Sequence, residues 1–231
     1  MTAIPRLLSE GGGIVSGGIF PVFREPAIAP VWYKTRVNLA LRKPMSLAEF
    51  LDWEERQPVR YEFDGVGPVA MTGGTFRHSA IQRNLAISVG GRLLGKPCQF
   101  YGSDLKFQVA AGKIRYPDGM VVCSAVDQGK SIAYDPAIVF EVLSPSTARD
   151  DRTIKAVEYQ ETQSVQRYVM LDQDGVSATV YFRSKDAWTH QTLIGADILA
   201  LPEIGIEFPL ADLYQGIAFD AGPDEGGSVG G

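Results

Sequence analysis

The chain has only two cysteines, two histidines and no apolar run approaching the roughly 20 residues needed to cross a bilayer. A membrane span is therefore not expected. Cys98 and Cys123 have neither CxxC spacing nor a supporting histidine, which argues against both a disulfide framework and a thiolate zinc site. Both read as small buried apolar residues. The opening, Met1 to Glu10, lacks a basic region followed by a continuous apolar stretch, so no secretory signal is read and cytoplasm is the default. Neither His78 nor His190 lies in a triad setting and there is no GxSxG elbow, so serine-hydrolase chemistry is not expected. A basic surface is also lacking: the net charge of −5 argues against non-specific coating of nucleic acid. A local patch could still be drawn from Arg77, Arg83, Arg92, Lys96, Lys106, Lys113 and Arg115, although most of these read as a solvated helix and hairpin surface.

What is present is the composition of an ordinary globular protein, 45% hydrophobic and 21% charged over 231 residues, enough for one domain with a sizeable core. Residues 1–44 carry Gly11-Gly12-Gly13, Gly17-Gly18 and scattered prolines without a sustained period, and read as a mobile extension. Ser46 with Glu49 three positions later forms a capping box ahead of Phe50, Leu51 and Trp53, so the folded domain is expected over 45–215. The Gly-rich segment 216–231 reads as a disordered tail.

Within the domain, Arg60 to Met71 reads as a hairpin turning at Asp64-Gly65. Thr75 to Leu94 reads as a helix with Ile81, Leu85, Val89 and Leu93 as its buried seam. Strands are expected around Cys98–Tyr101, Leu105–Val109, Ile114–Tyr116, Met120–Cys123 and Ala137–Leu143. A second helix follows near 151–161, then strands over 167–172, 178–182 and 188–194. This order indicates a mixed α/β (α+β) domain, a central mixed sheet flanked by helices.

One residue breaks the pattern. Glu141 stands inside the apolar run Ala137-Ile138-Val139-Phe140-Glu141-Val142-Leu143, which otherwise reads as a buried strand. A carboxylate taken out of water costs several kcal/mol unless a cation, a metal or strong donors compensate it. Asp118 ends another apparent strand upstream, and Lys155 is the nearest downstream lysine. Asp118 and Glu141 with the carbonyl of Val142 would supply the hard oxygen ligands that Mg²⁺ takes, and Lys155 could neutralise charge on a phosphate undergoing hydrolysis. Each residue has a plainer reading: Asp118 as a turn aspartate, Glu141 as an ion-pair partner of Arg152 or Lys155, Lys155 as a surface lysine, Glu62 as the polar face of a half-buried strand, His78 as structural or a phosphate contact.

The chain resembles the Uma-type endonucleases of the PD-(D/E)XK, restriction-endonuclease-like superfamily. The matching stretches are Arg60 to Gly65, Arg77-His78-Ser79, Gly102 to Lys106, Tyr116-Pro117-Asp118, Phe140 to Thr147, Asp151-Arg152 with Lys155 and Tyr159, and Tyr168 to Asp172. The resemblance implies a Mg²⁺-dependent (or Mn²⁺-dependent) endonuclease with Asp118 and Glu141 on the metal and Glu62 contributing from the first hairpin. The superfamily pattern puts a lysine where this chain has Leu143, and the resemblance implies that Lys155 takes over from the following helix. It also implies nucleic acid as partner, DNA ahead of RNA, and is compatible with a homodimer that cuts both strands. The competing readings are a nucleic-acid-binding or interaction module that keeps the fold with little activity, and a phosphohydrolase acting on another substrate.

Overall fold

The computed structural model describes residues 44–71, 73–144, 148–185 and 187–219. The expected extension over 1–43, the end of the tail from 220 and the loop residues Pro145 to Thr147 lie outside the described residues.

The first helix, α1 (Leu47–Glu54), starts at the capping box: the Ser46 side chain accepts from the Glu49 amide, and the Glu49 carboxylate accepts from the Ser46 amide. A hairpin follows, β1 (Tyr61–Phe63) with β2 (Pro68–Ala70), and Phe63 pairs with Pro68. Asp64 closes its turn by accepting from the amides of Val66 and Gly67, and Gly65 takes the positive φ of 93° that the turn requires. Thr75 caps α2 (Phe76–Leu85), which runs on through a π-helical turn at Ala86–Gly90 into α3 (Gly91–Leu93). The seam Ile81, Leu85, Val89 and Leu93 is fully buried, as its spacing predicts.

Then come β3 (Gln99–Gly102), β4 (Lys106–Gln108), β5 (Ile114–Arg115), β6 (Gly119–Val122), β7 (Ile132–Ala133) and β8 (Ile138–Val142). A composite helix follows, α4 (Ala148–Asp150), a π-helical turn at Asp151–Lys155, and α5 (Ala156–Glu161). The chain continues through β9 (Arg167–Leu171), β10 (Ser177–Ser184), β11 (Ala187–Ile194), β12 (Ile198–Leu201) and β13 (Ile206–Pro209). The main sheet has the order β11-β10-β9-β8-β6-β3, with β8 and β9 parallel and the other pairs antiparallel. A second sheet, β2-β1-β5-β4-β7, and the ribbon β12-β13 complete it. The protein is thus a mixed α+β fold with a mixed central sheet.

Strand β8 is buried along its whole length, and its alternation serves two cores. Ile138, Phe140 and Val142 join the α2 seam; Val139 and Leu143 join Met120, Ala156, Tyr159 and Tyr168 on the other face. Leu143, at the position of the missing lysine, is therefore an apolar core residue under α5. Glu141 belongs to this second face.

Three expectations differ from the structure. Cys98 and Cys123 form a disulfide, and Cys123 is exposed rather than buried. The cause is register: Gln99 pairs with Val122 across antiparallel β3 and β6, so the residues one step outward face each other, a relation the separation of 25 positions conceals. Lys106, Lys113 and Arg115 are not a solvated hairpin surface. Lys106 pairs with the buried Glu54 at 2.9 Å, and Lys113 and Arg115 both reach Glu158 at 2.7 Å. Residues 216–219, expected in the tail, pack on the body: Ile217 and Phe219 join the main core, and the Arg77 guanidinium lies 5.6 Å from the Phe219 ring centre.

Candidate active site

Asp118 stands one residue before β6. Gly119 pairs with Phe140 and Met120 with Val139, so the antiparallel register brings Asp118 opposite Glu141 on the face that carries Met120 and Val139. Gly119 is needed there because a Cβ would come within 2.8 Å of the Phe100 ring. The Asp118 carboxylate is held from two directions. Gln82 Nε2 donates to Oδ1 at 2.6 Å, the Val142 amide donates to Oδ2 at 2.6 Å, and His78 Nε2 lies 3.2 Å from Oδ2.

Glu141 is 3% exposed and has two donors on Oε1: Lys155 Nζ at 3.1 Å and the Tyr159 hydroxyl at 2.8 Å. Burial pushes this carboxyl well above the ordinary glutamate range; Lys155 opposes the shift, while Asp151, Asp118 and Glu62 add to it. Arg152, the alternative partner, instead lies 3.7 Å from Asp172.

Lys155 ends the π-helical turn and is 8% exposed. Such turns recur at functional sites because the extra residue re-aims a side chain. Its ammonium lies 3.1 Å from Glu141, 3.2 Å from Glu62 Oε1 and 3.1 Å from Asp151 Oδ1. Burial works against the charged form, but Glu141, Glu62 and Asp151 outweigh it and hold the ammonium well above the usual lysine range.

Glu62 reaches the same place from β1. Its Oε1 accepts from Lys155 and from the Tyr116 amide, and its Oε2 accepts from Arg115 at 3.0 Å. Arg115 in turn grips Glu158 through Nε and Nη2 at 2.7 and 2.8 Å, which drops the Glu158 carboxyl below its ordinary range against the effect of burial. Three carboxylates thus share the Lys155 ammonium, with Asp118 one strand away, so negative charge is in excess.

A cleft of about 700 Å³ opens onto this cluster, lined among others by Glu62, His78, Gln82, Asp118, Glu141 and Lys155. Both acids line it; Asp118 Oδ1 accepts from Gln82, and Glu141 Oε2 has no donor among the described residues. Among the described residues no group of three or more His, Cys, Asp or Glu could hold an ion. The donor set is two carboxylates of hard oxygen character, the kind that Mg²⁺ takes while keeping waters and substrate oxygens. Val142 was also expected to lend its carbonyl; beside it stands the His78 ring, which burial would leave neutral but which Asp118, Val142 and Asp151 together raise above the usual histidine range.

All four polar residues singled out from the sequence, Asp118, Glu141, Lys155 and Glu62, line the one cleft. Gln82, Asp151, Arg115 and Glu158 were not singled out for it. Asp151, Lys155 and Tyr159 recur at intervals of four on one helix, a legible signal; Gln82, one turn after His78, gives none without knowing that α2 faces Asp118.

Comparison with known proteins agrees with this architecture. A family model described as "Putative restriction endonuclease", Uma2, matches residues 47–211. The uncharacterized protein slr1290 of Synechocystis is 34% identical over 179 residues, 76% of this chain and 94% of that protein. A second uncharacterized Synechocystis protein, sll1609, is 26% identical over 58% of this chain and 78% of its own length. In fold, the chain is similar to the crystal structure of "a putative nuclease belonging to DUF820" from Anabaena variabilis, with a TM-score of 0.63 and 17% identity over 74% of this chain and 98% of that one. With its family model spanning both sheets and every residue of the cleft cluster, the chain belongs to the Uma2 family.

Proposed function

We propose that the protein is a Mg²⁺-dependent endonuclease that hydrolyses phosphodiester bonds in DNA, with Mn²⁺ able to replace Mg²⁺. The observation that carries this reading is the convergence of the Lys155 ammonium on Glu141 and Glu62 beside Asp118, on the floor of an open cleft. Asp118 and Glu141, which both line the cleft, would hold the ion. The ion supplies, when bound, Lewis-acid polarisation of the phosphate and activation of water.

The chain's own residues do the rest. Lys155 keeps its proton throughout and offers a desolvated positive charge to the developing charge on the phosphate oxygens, where such a charge acts far more strongly than in water. Glu62 acts through Lys155: its Oε1 accepts from the ammonium and from the Tyr116 amide and its Oε2 from Arg115, so it orients the ammonium beside Glu141. Tyr159 and Lys155 both donate to Oε1 of Glu141, which leaves Oε2 as the oxygen for the ion. With Leu143 in the core, Lys155 takes the lysine role from the helix.

The test is incubation of supercoiled plasmid, and in parallel labelled RNA, with Mg²⁺, Mn²⁺ or EDTA, using wild type, Asp118→Ala, Glu141→Ala and Lys155→Ala. Metal-dependent nicking of plasmid by wild type, lost in all three variants, is the expected result. Cutting that survives EDTA or the substitutions sinks the assignment.

A further inference from the structure

Asp118 is more constrained than a simple metal ligand needs to be, and the constraint comes from α2. Gln82 Nε2 donates to its Oδ1 at 2.6 Å, while the Val142 amide at 2.6 Å and His78 at 3.2 Å both use Oδ2. A carboxylate presents about four lone-pair directions. Three are therefore occupied, and the one left is on Oδ1. His78 and Gln82 are four residues apart on α2 and lie on the same face of it.

That face is held in place independently of Asp118. Thr75, the α2 cap, donates its hydroxyl to Gln173, and Gln173 donates to the carbonyl of Leu143 just beyond β8. Gly74 lets the chain close over His78, because a Cβ there would lie 3.0 Å from Nδ1 of the ring. Asn84, on the same helix, is buried and donates to the carbonyls of Leu213 and Gln215. The helix cannot slide without breaking these contacts.

We propose that His78 and Gln82 are positioning residues that clamp Asp118, so that it meets the ion through one oxygen, Oδ1, and that this clamp sets the strength of ion binding. The inference rests on the metal-dependent reading above and assigns α2 a part in it. Donors that hold a ligating carboxylate are worth about 10- to 100-fold in metal affinity.

The experiment is calorimetric titration of the full chain with Mn²⁺ in the absence of nucleic acid, for wild type, Gln82→Met, His78→Leu and His78→Gln. Gln82→Met keeps the length of the side chain and removes the donor; His78→Gln restores a donor that His78→Leu lacks. Affinity is expected to fall at least about tenfold in Gln82→Met and His78→Leu, and to recover partly in His78→Gln. In plasmid cleavage the half-saturating Mg²⁺ concentration should rise by a similar factor in Gln82→Met, with the rate at saturating Mg²⁺ largely kept. A role confined to stability would move melting temperature without this split. Wild-type binding with both Gln82→Met and His78→Leu within twofold of it overturns the clamp alone, whereas a wild type that takes up no ion overturns the clamp and the reading beneath it together.

Discussion

Replacing Lys155 by methionine keeps the length of the side chain and removes the charge that Glu141, Glu62 and Asp151 share. All three contacts are 3.1–3.2 Å and the ammonium and its partners are largely buried beneath the cleft, so the substitution strands carboxylates rather than merely deleting a pair. Breaking a buried pair in this way costs about 3–5 kcal/mol. At about 2–4 °C per kcal/mol for a domain of this size, the melting temperature should fall by roughly 6–20 °C. Adding Glu141→Gln to Lys155→Met removes one stranded charge and should restore part of the loss. The assay is a thermal or urea melt followed by circular dichroism, on the two single variants and the double, so that the coupling is read directly. A Lys155→Met protein within 1 kcal/mol of wild type, with no coupling to Glu141, would refute the electrostatic reasoning.

Three further outcomes follow from the same geometry. Uptake of a divalent ion beside Glu141 should release protons, because burial and neighbouring carboxylates raise that carboxyl while an ion favours its charged form; calorimetry in buffers of different ionisation enthalpy measures this, and metal affinity should rise with pH. Glu158 works in the opposite sense: its carboxyl is lowered by Arg115 and Lys113, so its contribution to stability is full above its ordinary value of about 4.5 and is lost as pH falls through the lowered one; acid unfolding of Glu158→Gln should show a shallower slope there. Thiol titration of the denatured, unreduced protein should find no free cysteine, and Cys123→Ser should cost about 3–4 kcal/mol by the loop-entropy relation for a separation of 25 residues.

The fold was readable where local chemistry dominates. The capping box at Ser46 and Glu49, the Asp64-Gly65 turn and the α2 seam all follow from spacing and side-chain type, and each appears as read. Glu141 was readable for a related reason, since a charge in a buried run demands a partner. What the sequence concealed depends on register and on distant faces meeting. The Cys98–Cys123 bond needs the β3–β6 pairing, and the burial of Arg115 needs Glu158, 43 residues away on another element. Short pieces such as β7 and the β12-β13 ribbon carry too few residues for a period to show. Gln82 is the clearest case: an amide on a polar helix turn looks solvated until the facing strand brings Asp118 to it.

The central claim is that Asp118, Glu141 and Lys155 form one metal-dependent phosphodiesterase centre. Single-turnover cleavage of a supercoiled plasmid in Mg²⁺, comparing wild type with the near-isosteric Glu141→Gln, tests it most directly. The account predicts strand scission by wild type and a loss of at least about a hundredfold in the variant, the scale for removing one electrostatic element of a preorganised site. Equal rates in the two proteins, or no scission by a wild type shown to bind Mg²⁺ and DNA, would contradict it.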